Sequence, residues 1–349
     1  FSERHDRCCD LHKAIEKRAP VKLNYDEEAF KLSKLKAGER GYDSRKGKLD
    51  KLAEKVAAHD KLVEAARAEI AKVDARIDAM RAKYAADPEF QKHEALLDNG
   101  IDLARLTYPE VRTLRCQMQY IFQDPYSSLN PRMTVANIIG EGLLAHKYCK
   151  KANERMHEEI LQTMEDCGLA PYFLHRYPHQ FSGGQRQRIG IARSLAVHPK
   201  FVVCDEAVSA LDVSIQSQII NLLQDLKEQQ HLTYLFITHD LSVVKYISDR
   251  IGVMYLGNLV ELADSQEIFD HPMHPYTEAL LESIPTTEEK RDLAVLEGDI
   301  PSPVNPPKGC KFHTRCKYCT EICTHVVPDW EEVTPNHFVA CHHKLHTNE

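Results

Sequence analysis

A chain of 349 residues, 43% hydrophobic and 28% charged, can bury a full core and has room for more than one structural unit. No apolar run approaches the roughly 18–20 residues that span a bilayer, and a net charge of −7 argues against nucleic acid as the main partner. No signal peptide opens the chain, which starts on Phe1 rather than Met, so an upstream part is expected to be missing.

Residues 1–46 are polar and read as irregular, with Pro20, Gly38, Gly41 and Gly47 interrupting short helical candidates. From Leu49 the pattern tightens. Leu49, Leu52, Val56, His59, Val63, Ala66, Ile70, Val73, Ile77, Met80 and Tyr84 step by threes and fours, an a/d seam of about five heptads. That seam predicts a coiled-coil arm about 50 Å long, weakened by His59 and Ala66 and ended by Asp87-Pro88. After residue 95 the texture turns α/β. Strands are predicted at "MQYIFQ" (118–123), "HPKFVVCDE" (198–206) and "LTYLFITHD" (232–240), the last two buried. Helices are predicted at 153–169, closed by Gly168, and at 214–230. "DRIGVMYLGNLVELA" (249–263) reads as a hairpin with Gly257-Asn258 as its turn. Alternating strands and helices indicate a parallel sheet covered on both faces. The Pro-rich run 301–309 leads into a Cys-rich tail.

Four segments carry chemistry. "FVVCDEAVSALD" (201–212) places Asp205 and Glu206 at the carboxyl edge of a sheet, where ligands bind. Asp205 is suited to hold Mg²⁺ and Glu206 to polarise a water that attacks a γ-phosphate. His239, at the end of the next strand, can donate to a γ-phosphate oxygen. Gln123 ends a third strand and offers a carbonyl to Mg²⁺ and an amide to the attacking water. "FSGGQRQRIGIARSL" starts with Ser182 as a helix cap followed by Gly183 and Gly184, which leave backbone amides free for an anion. Each segment alone also fits a plain reading: an acid pair, a histidine or a glutamine on a solvated turn, or an ordinary Gly-Gly turn.

Together and in this order they resemble the Q-loop, signature, Walker B, D-loop and H-loop of an ABC-type ATPase, from about residue 96 to the end. "QDPYSSLNPRMTV", "DEAVSALDVSIQSQ" and "HPMHPYTEALLESIP" further resemble the ATP-binding subunits of oligopeptide/dipeptide importers. The resemblance implies an α/β ABC ATPase core of parallel sheet and helical subdomain, with the coiled-coil arm inserted and a Cys-rich C-terminal extension. The implied divisions are 1–95 (polar segment and arm), 96–265 (ATPase domain, helical subdomain about 125–195) and 266–349 (importer C-terminal region). It also implies that Ser182, Gly183, Gly184 and Gln185 reach across to the nucleotide of a second ATP-binding subunit. Asp205 and Gln123 would serve Mg²⁺, Glu206 would be the general base, His239 the γ-phosphate sensor, and Asp212 part of the D-loop. Phe181 for the usual Leu, and Ala207-Val208 for Pro-Thr, depart from the pattern without removing a ligand. Implied partners are transmembrane permease subunits, a second ATP-binding subunit and, indirectly, an extracytoplasmic solute-binding protein, at the cytoplasmic face of the cell membrane.

Cys310, Cys316, Cys323 and Cys341 match that branch's four C-terminal cysteines, for which the resemblance implies an iron–sulfur cluster; four thiolates suit Zn²⁺ equally. Cys319 is an extra thiol, His313 or His342 are alternative ligands, and reduced, buried cysteines holding no metal are the plain reading. No Gly-x-x-x-x-Gly-Lys-[Ser/Thr] occurs in the chain. The P-loop is therefore expected upstream of Phe1 in a longer chain, and the isolated 349 residues are expected not to hydrolyse ATP. Two alternatives stand beside this reading: a coiled-coil DNA-repair or chromosome ATPase of the same superfamily, and a degenerate scaffold that donates only its signature.

Overall fold

The computed structural model describes residues 2–95, 100, 102–149, 152–283 and 298–346. Residue 96, taken above as the start of the ATPase domain, lies outside them, as do Ile284 and Pro285, the last residues of "HPMHPYTEALLESIP" (271–285). The chain divides into two compact units, Phe1–Gln119 with Pro125–Phe201, and Tyr120–Asp124 with Val202–Glu349.

The first unit opens with two long helices, α1 (Ser2–Ser33) and α2 (Tyr42–Tyr84). The irregular segment expected over 1–46 is thus corrected: most of it is α1, which continues through Pro20. A proline costs a helix one backbone bond, and here contact with α2 offsets that cost. Glu3 pairs with Arg76 and Arg4 with Asp74, both at 2.6 Å, Arg18 pairs with Asp60, and Glu28 with Lys48 at 3.0 Å. Numbers rise on α1 as they fall on α2, so the two helices run antiparallel. Gly38 and Gly41, at φ +92° and +96°, supply the left-handed backbone of the turn between them. Of the seam read from the sequence, Val56, Val63 and Val73 are buried, while Met80 and Tyr84 are exposed. Each fully buried valine contributes roughly 1.5–3 kcal/mol.

Next come α3 (Pro88–Ala95) and α4 (Tyr108–Gln117). Helix α4 starts at a capping box that Thr107 and Glu110 close. Helices α5 (Val135–Ala145), α6 (Glu154–Asp166) and α7 (Gly183–Leu195) pack on one another. They bury Ile139, Leu143, Ile160, Met164, Ile189 and Leu195. Lys34, just past α1, pairs with Glu158 on α6.

The second unit holds a three-stranded sheet in the order β1 (Met118–Ile121), β2 (Phe201–Asp205), β3 (Thr233–Ile237). Strand starts neighbour starts and ends neighbour ends: Lys200 N–H donates to Gln117 O, and Glu206 N–H to Ile237 O. The strands are parallel, with α8 (Val213–Gln230) as the crossover from β2 to β3 and α9 (Leu241–Ile247) following β3. Val202 and Cys204 are buried on one face of β2. On β3, Leu235 and Ile237 stay 50% and 45% exposed, so this strand alternates and is not the buried strand expected.

A second, antiparallel sheet has the order β4 (Arg250–Tyr255), β5 (Asn258–Asp264), β7 (His337–Val339), β6 (Glu331–Thr334). The β4–β5 hairpin is present, but its turn sits one residue earlier than expected. Tyr255 pairs with Asn258, leaving Leu256 and Gly257 as the two turn residues, both at positive φ. That is the twist a two-residue hairpin turn demands. Helices α10 (Ser265–Asp270), α11 (Pro275–Glu282) and α12 (Glu321–His325) complete the unit. Because β7 pairs with β5, the sheet runs across residue 265 into the Cys-rich region. Glu261 on β5 is fully buried and accepts from Met273 N–H (2.7 Å), His274 N–H (3.0 Å) and His337 Nε2 (2.8 Å). Three donors to one buried carboxylate offset its desolvation and fix the 271–275 segment against β5.

Candidate functional site

The carboxyl ends of β1, β2 and β3 bring Gln123, Asp205, Glu206 and His239 together. Glu206 Oε2 accepts from the Gln123 amide, and its Oε1 lies 3.1 Å from His239 Nδ1. Asp205 Oδ2 accepts from the Tyr120 hydroxyl. That bond first, then burial, raises the phenol above its ordinary range, so Tyr120 is a donor here. Glu206 sits at φ +44°, a left-handed conformation that a side chain adopts at a cost of about 1–3 kcal/mol. Its N–H is held by Ile237 O at 2.9 Å, and the Ser209 N–H and hydroxyl both return to its carbonyl (3.1 and 3.0 Å). Neighbouring strands thus hold the backbone that aims this carboxylate.

Asp212 follows on the same side of the strand end. Its Oδ1 accepts from Ile215 N–H at 3.0 Å and caps α8, leaving the side chain exposed. Sequence reasoning missed Tyr120: a phenol in an alternating strand reads as an apolar face residue, and only its reach to Asp205 gives it a role.

Ser182–Gln185 belong to the first unit. Ser182 caps α7: its hydroxyl accepts from Gln185 N–H (3.4 Å), and Gln185 Oε1 accepts from Ser182 N–H (3.1 Å). The reciprocal pair fixes the start of α7 and the orientation of its free amides. Arg186, also missed, is buried; it donates to Pro178 O (2.7 Å) and lies 3.5 Å over the Tyr126 ring. Arg193 donates to Ser128 O. Two arginines of α7 therefore hold the 125–131 segment that follows Gln123 in sequence.

In the second unit Cys310, Cys316, Cys323 and Cys341 line one small cavity together with His274, His313 and His342. Gly309, at φ +68°, allows the close pass of the chain: a Cβ there would meet Cys323 O at 2.4 Å. Cys341 Sγ accepts from His343 N–H at 3.3 Å, and Thr320 Oγ1 lies 3.7 Å from Cys323 Sγ. Burial pushes the Cys316 thiol up to about 11 and that of Cys341 to about 12, so both are neutral as they stand. Among the described residues no group of three or more such side chains is set at metal-holding distances. Four sulfurs line this one cavity, and hydrogen bonds reach two of them.

Comparison with known proteins places the chain in a family. A model of the ABC transporter family matches residues 80–209, and one of the oligopeptide/dipeptide transporter C-terminal region matches 260–323. The chain is 52% identical to the oligopeptide transport ATP-binding protein AppF of Bacillus subtilis, over 71% of this chain and 76% of that protein. It is 51% identical to a putative peptide import ATP-binding protein of Brucella ovis, over 70% of this chain and 78% of that one. A solved dimeric ATP-binding cassette with ADP and phosphate aligns at 27% identity and TM-score 0.43, over 48% of this chain and 72% of that one. With half its aligned residues shared across three quarters of such relatives, the chain belongs to the ATP-binding protein family of oligopeptide ABC transporters.

Proposed function

We propose that this chain binds ATP and couples its hydrolysis to import of oligopeptides or dipeptides through permease subunits at the cytoplasmic face of the membrane. The observation that carries the reading is the Glu206 carboxylate, oriented by Gln123 and His239 beside Asp205 at the sheet edge. A bound Mg²⁺·ATP supplies the electrophilic γ-phosphate. Glu206 would take the proton of the attacking water, Asp205 and Gln123 would hold the cation, and His239 would donate toward the phosphate. Ser182–Gln185 offer their amides to the nucleotide of a second ATP-binding subunit, and Asp212 belongs to the D-loop. These 349 residues contain no phosphate loop, so the site around Asp205 needs one from outside them, and the polypeptide alone turns over no ATP. The solute-binding protein acts on the permease, not on this chain.

The division into 1–95, 96–265 and 266–349 is retained as a functional one: arm, ATPase and importer-specific region. Residues 49–84 form, with α1, an intramolecular coiled coil. Cys310, Cys316, Cys323 and Cys341 would hold an iron–sulfur cluster or Zn²⁺ as a structural centre.

The test is co-expression of this chain, preceded by a phosphate-loop segment, with permease subunits and measurement of peptide-stimulated ATP turnover. Stimulated turnover that Glu206→Gln abolishes supports the reading. Turnover indifferent to Glu206→Gln, or recovery with DNA in place of permease, would sink it.

A further inference from the structure

Two residues of the candidate site stand at the starts of two helices. Asp212 caps α8, and His239 immediately precedes Asp240, which caps α9 through Ser242 N–H (2.9 Å) and Val243 N–H (3.4 Å) on Oδ1. The helices are laced together along their length. Tyr246 hydroxyl donates to Asn221 Oδ1 (3.3 Å), Gln224 Nε2 to Tyr246 O (2.8 Å), and Lys227 pairs with Asp249 (2.7 Å). Those three contacts lie at the surface, far along α8 from the site. The fourth is different. Gln216 Nε2 donates to Asp240 Oδ2 at 3.2 Å, half-buried, one turn from Asp212.

Gln216 is tied at both ends. Its backbone N–H donates to Asp212 O at 2.8 Å, while its amide holds Asp240. Asp240 has no slack to absorb a pull: Oδ1 is engaged by the α9 amides, Oδ2 by Gln216, and its own N–H by Thr238 Oγ1 at 3.1 Å. The residue between Thr238 and Asp240 is His239, whose imidazole faces Glu206. One side chain therefore joins the turn that ends β2 to the backbone that carries the histidine. A glutamine suits this place because it donates to a carboxylate without a charge of its own, whereas glutamate would repel Asp240 and alanine would leave Oδ2 unbound.

We infer that Gln216 is a positioning residue that couples the Ser209–Asp212 turn to His239. When the turn is displaced, the first turn of α8 moves with it; Gln216 passes the motion to Asp240 and so resets the imidazole against Glu206. The other three α8–α9 contacts lie at the far, exposed end of α8, so Gln216 is the contact nearest the chemistry. The inference rests on the proposed ATP site for its purpose, but not for its test.

The test uses the full chain labelled with ¹⁵N-histidine, without nucleotide, and follows the His239 imidazole resonances by NMR. Asp212→Ala removes the α8 cap and loosens the turn, and is expected to shift the His239 signals. In a Gln216→Ala background, which keeps a good helix former, the same Asp212→Ala change is expected to leave them in place; Gln216→Glu should uncouple them likewise. A double-mutant comparison of this kind isolates the link from any general loosening. An equal His239 shift with and without Gln216, or no shift from Asp212→Ala at all, would overturn the inference. Because no turnover is read, failure of the ATP reading would show in the permease experiment and not here.

Discussion

His239 Nδ1 and Glu206 Oε1 lie 3.1 Å apart, although 33 residues separate them in sequence. The contact holds Glu206 from one side while the Gln123 amide holds it from the other. Replacing Glu206 by Gln keeps the shape and both neighbours but removes the base. In a transporter assembled from this chain with a phosphate loop supplied ahead of it, turnover is expected to fall about 10²–10⁴-fold, with ATP affinity unchanged, as measured by steady-state hydrolysis and fluorescent-nucleotide binding.

Glu28 is 6% exposed and faces Lys31 (3.1 Å), Lys48 (3.0 Å) and Arg45 (3.3 Å). Burial pulls its carboxyl upward, but the bonds from Lys48 and Lys31 outweigh that and leave it lowered. A lowered folded-state value stabilises the fold above the unfolded value of about 4.3, and that stabilisation is lost as pH falls through the folded value. Glu28→Gln should therefore cost about 1 kcal/mol near neutral pH and little under acid conditions below the folded value. Thermal unfolding followed by circular dichroism from pH 7 downward checks this: the two curves should converge as the acid end is approached.

Val63 lies at the middle of the α2 seam, 8% exposed against α1. Aspartate at that position buries an unpaired charge, and a loss of about 2–4 kcal/mol is expected. Hydrogen exchange should quicken throughout α1 and α2 while α5–α7 stay protected. Uniform quickening of the whole chain would mean that the hairpin is not a separate folding unit.

Cys167 and Cys204 are fully buried, and burial raises both thiols to about 12. Cys319 is exposed. Burial and the neighbouring Cys323 raise the Cys319 thiol too, but it is the accessible one, so iodoacetamide should label Cys319 well before Cys167 and Cys204, which react only after denaturation, as read by peptide mass spectrometry.

What was legible in the sequence follows from how locally each feature is encoded. The α2 seam was visible because its apolar residues recur every three or four positions within one helix. Its partner was not, because α1 owes its place to charges that answer α2, such as Arg4 to Asp74 and Arg18 to Asp60, and a polar stretch containing Pro20 carries no period of its own. Asp205, Glu206, Gln123 and His239 were legible as strand ends followed by polar residues. The strained φ of Glu206 and the phenol at Asp205 depend on neighbouring strands and left no trace in the local pattern. Glu261 and His337, 76 positions apart, met only once β5 and β7 had paired.

The antiparallel course of α1 and α2 has a topological consequence. Glu3 and Arg76 are 2.6 Å apart at their charged tips, so more than seventy residues of chain begin and finish at nearly one point in space. The entropy of joining two points depends on how far apart they are and only weakly on the length between them. A segment with this geometry behaves, for the rest of the molecule, like a tight surface turn: it can be lengthened or shortened by whole helical turns in both arms while the residues that flank it stay where they are.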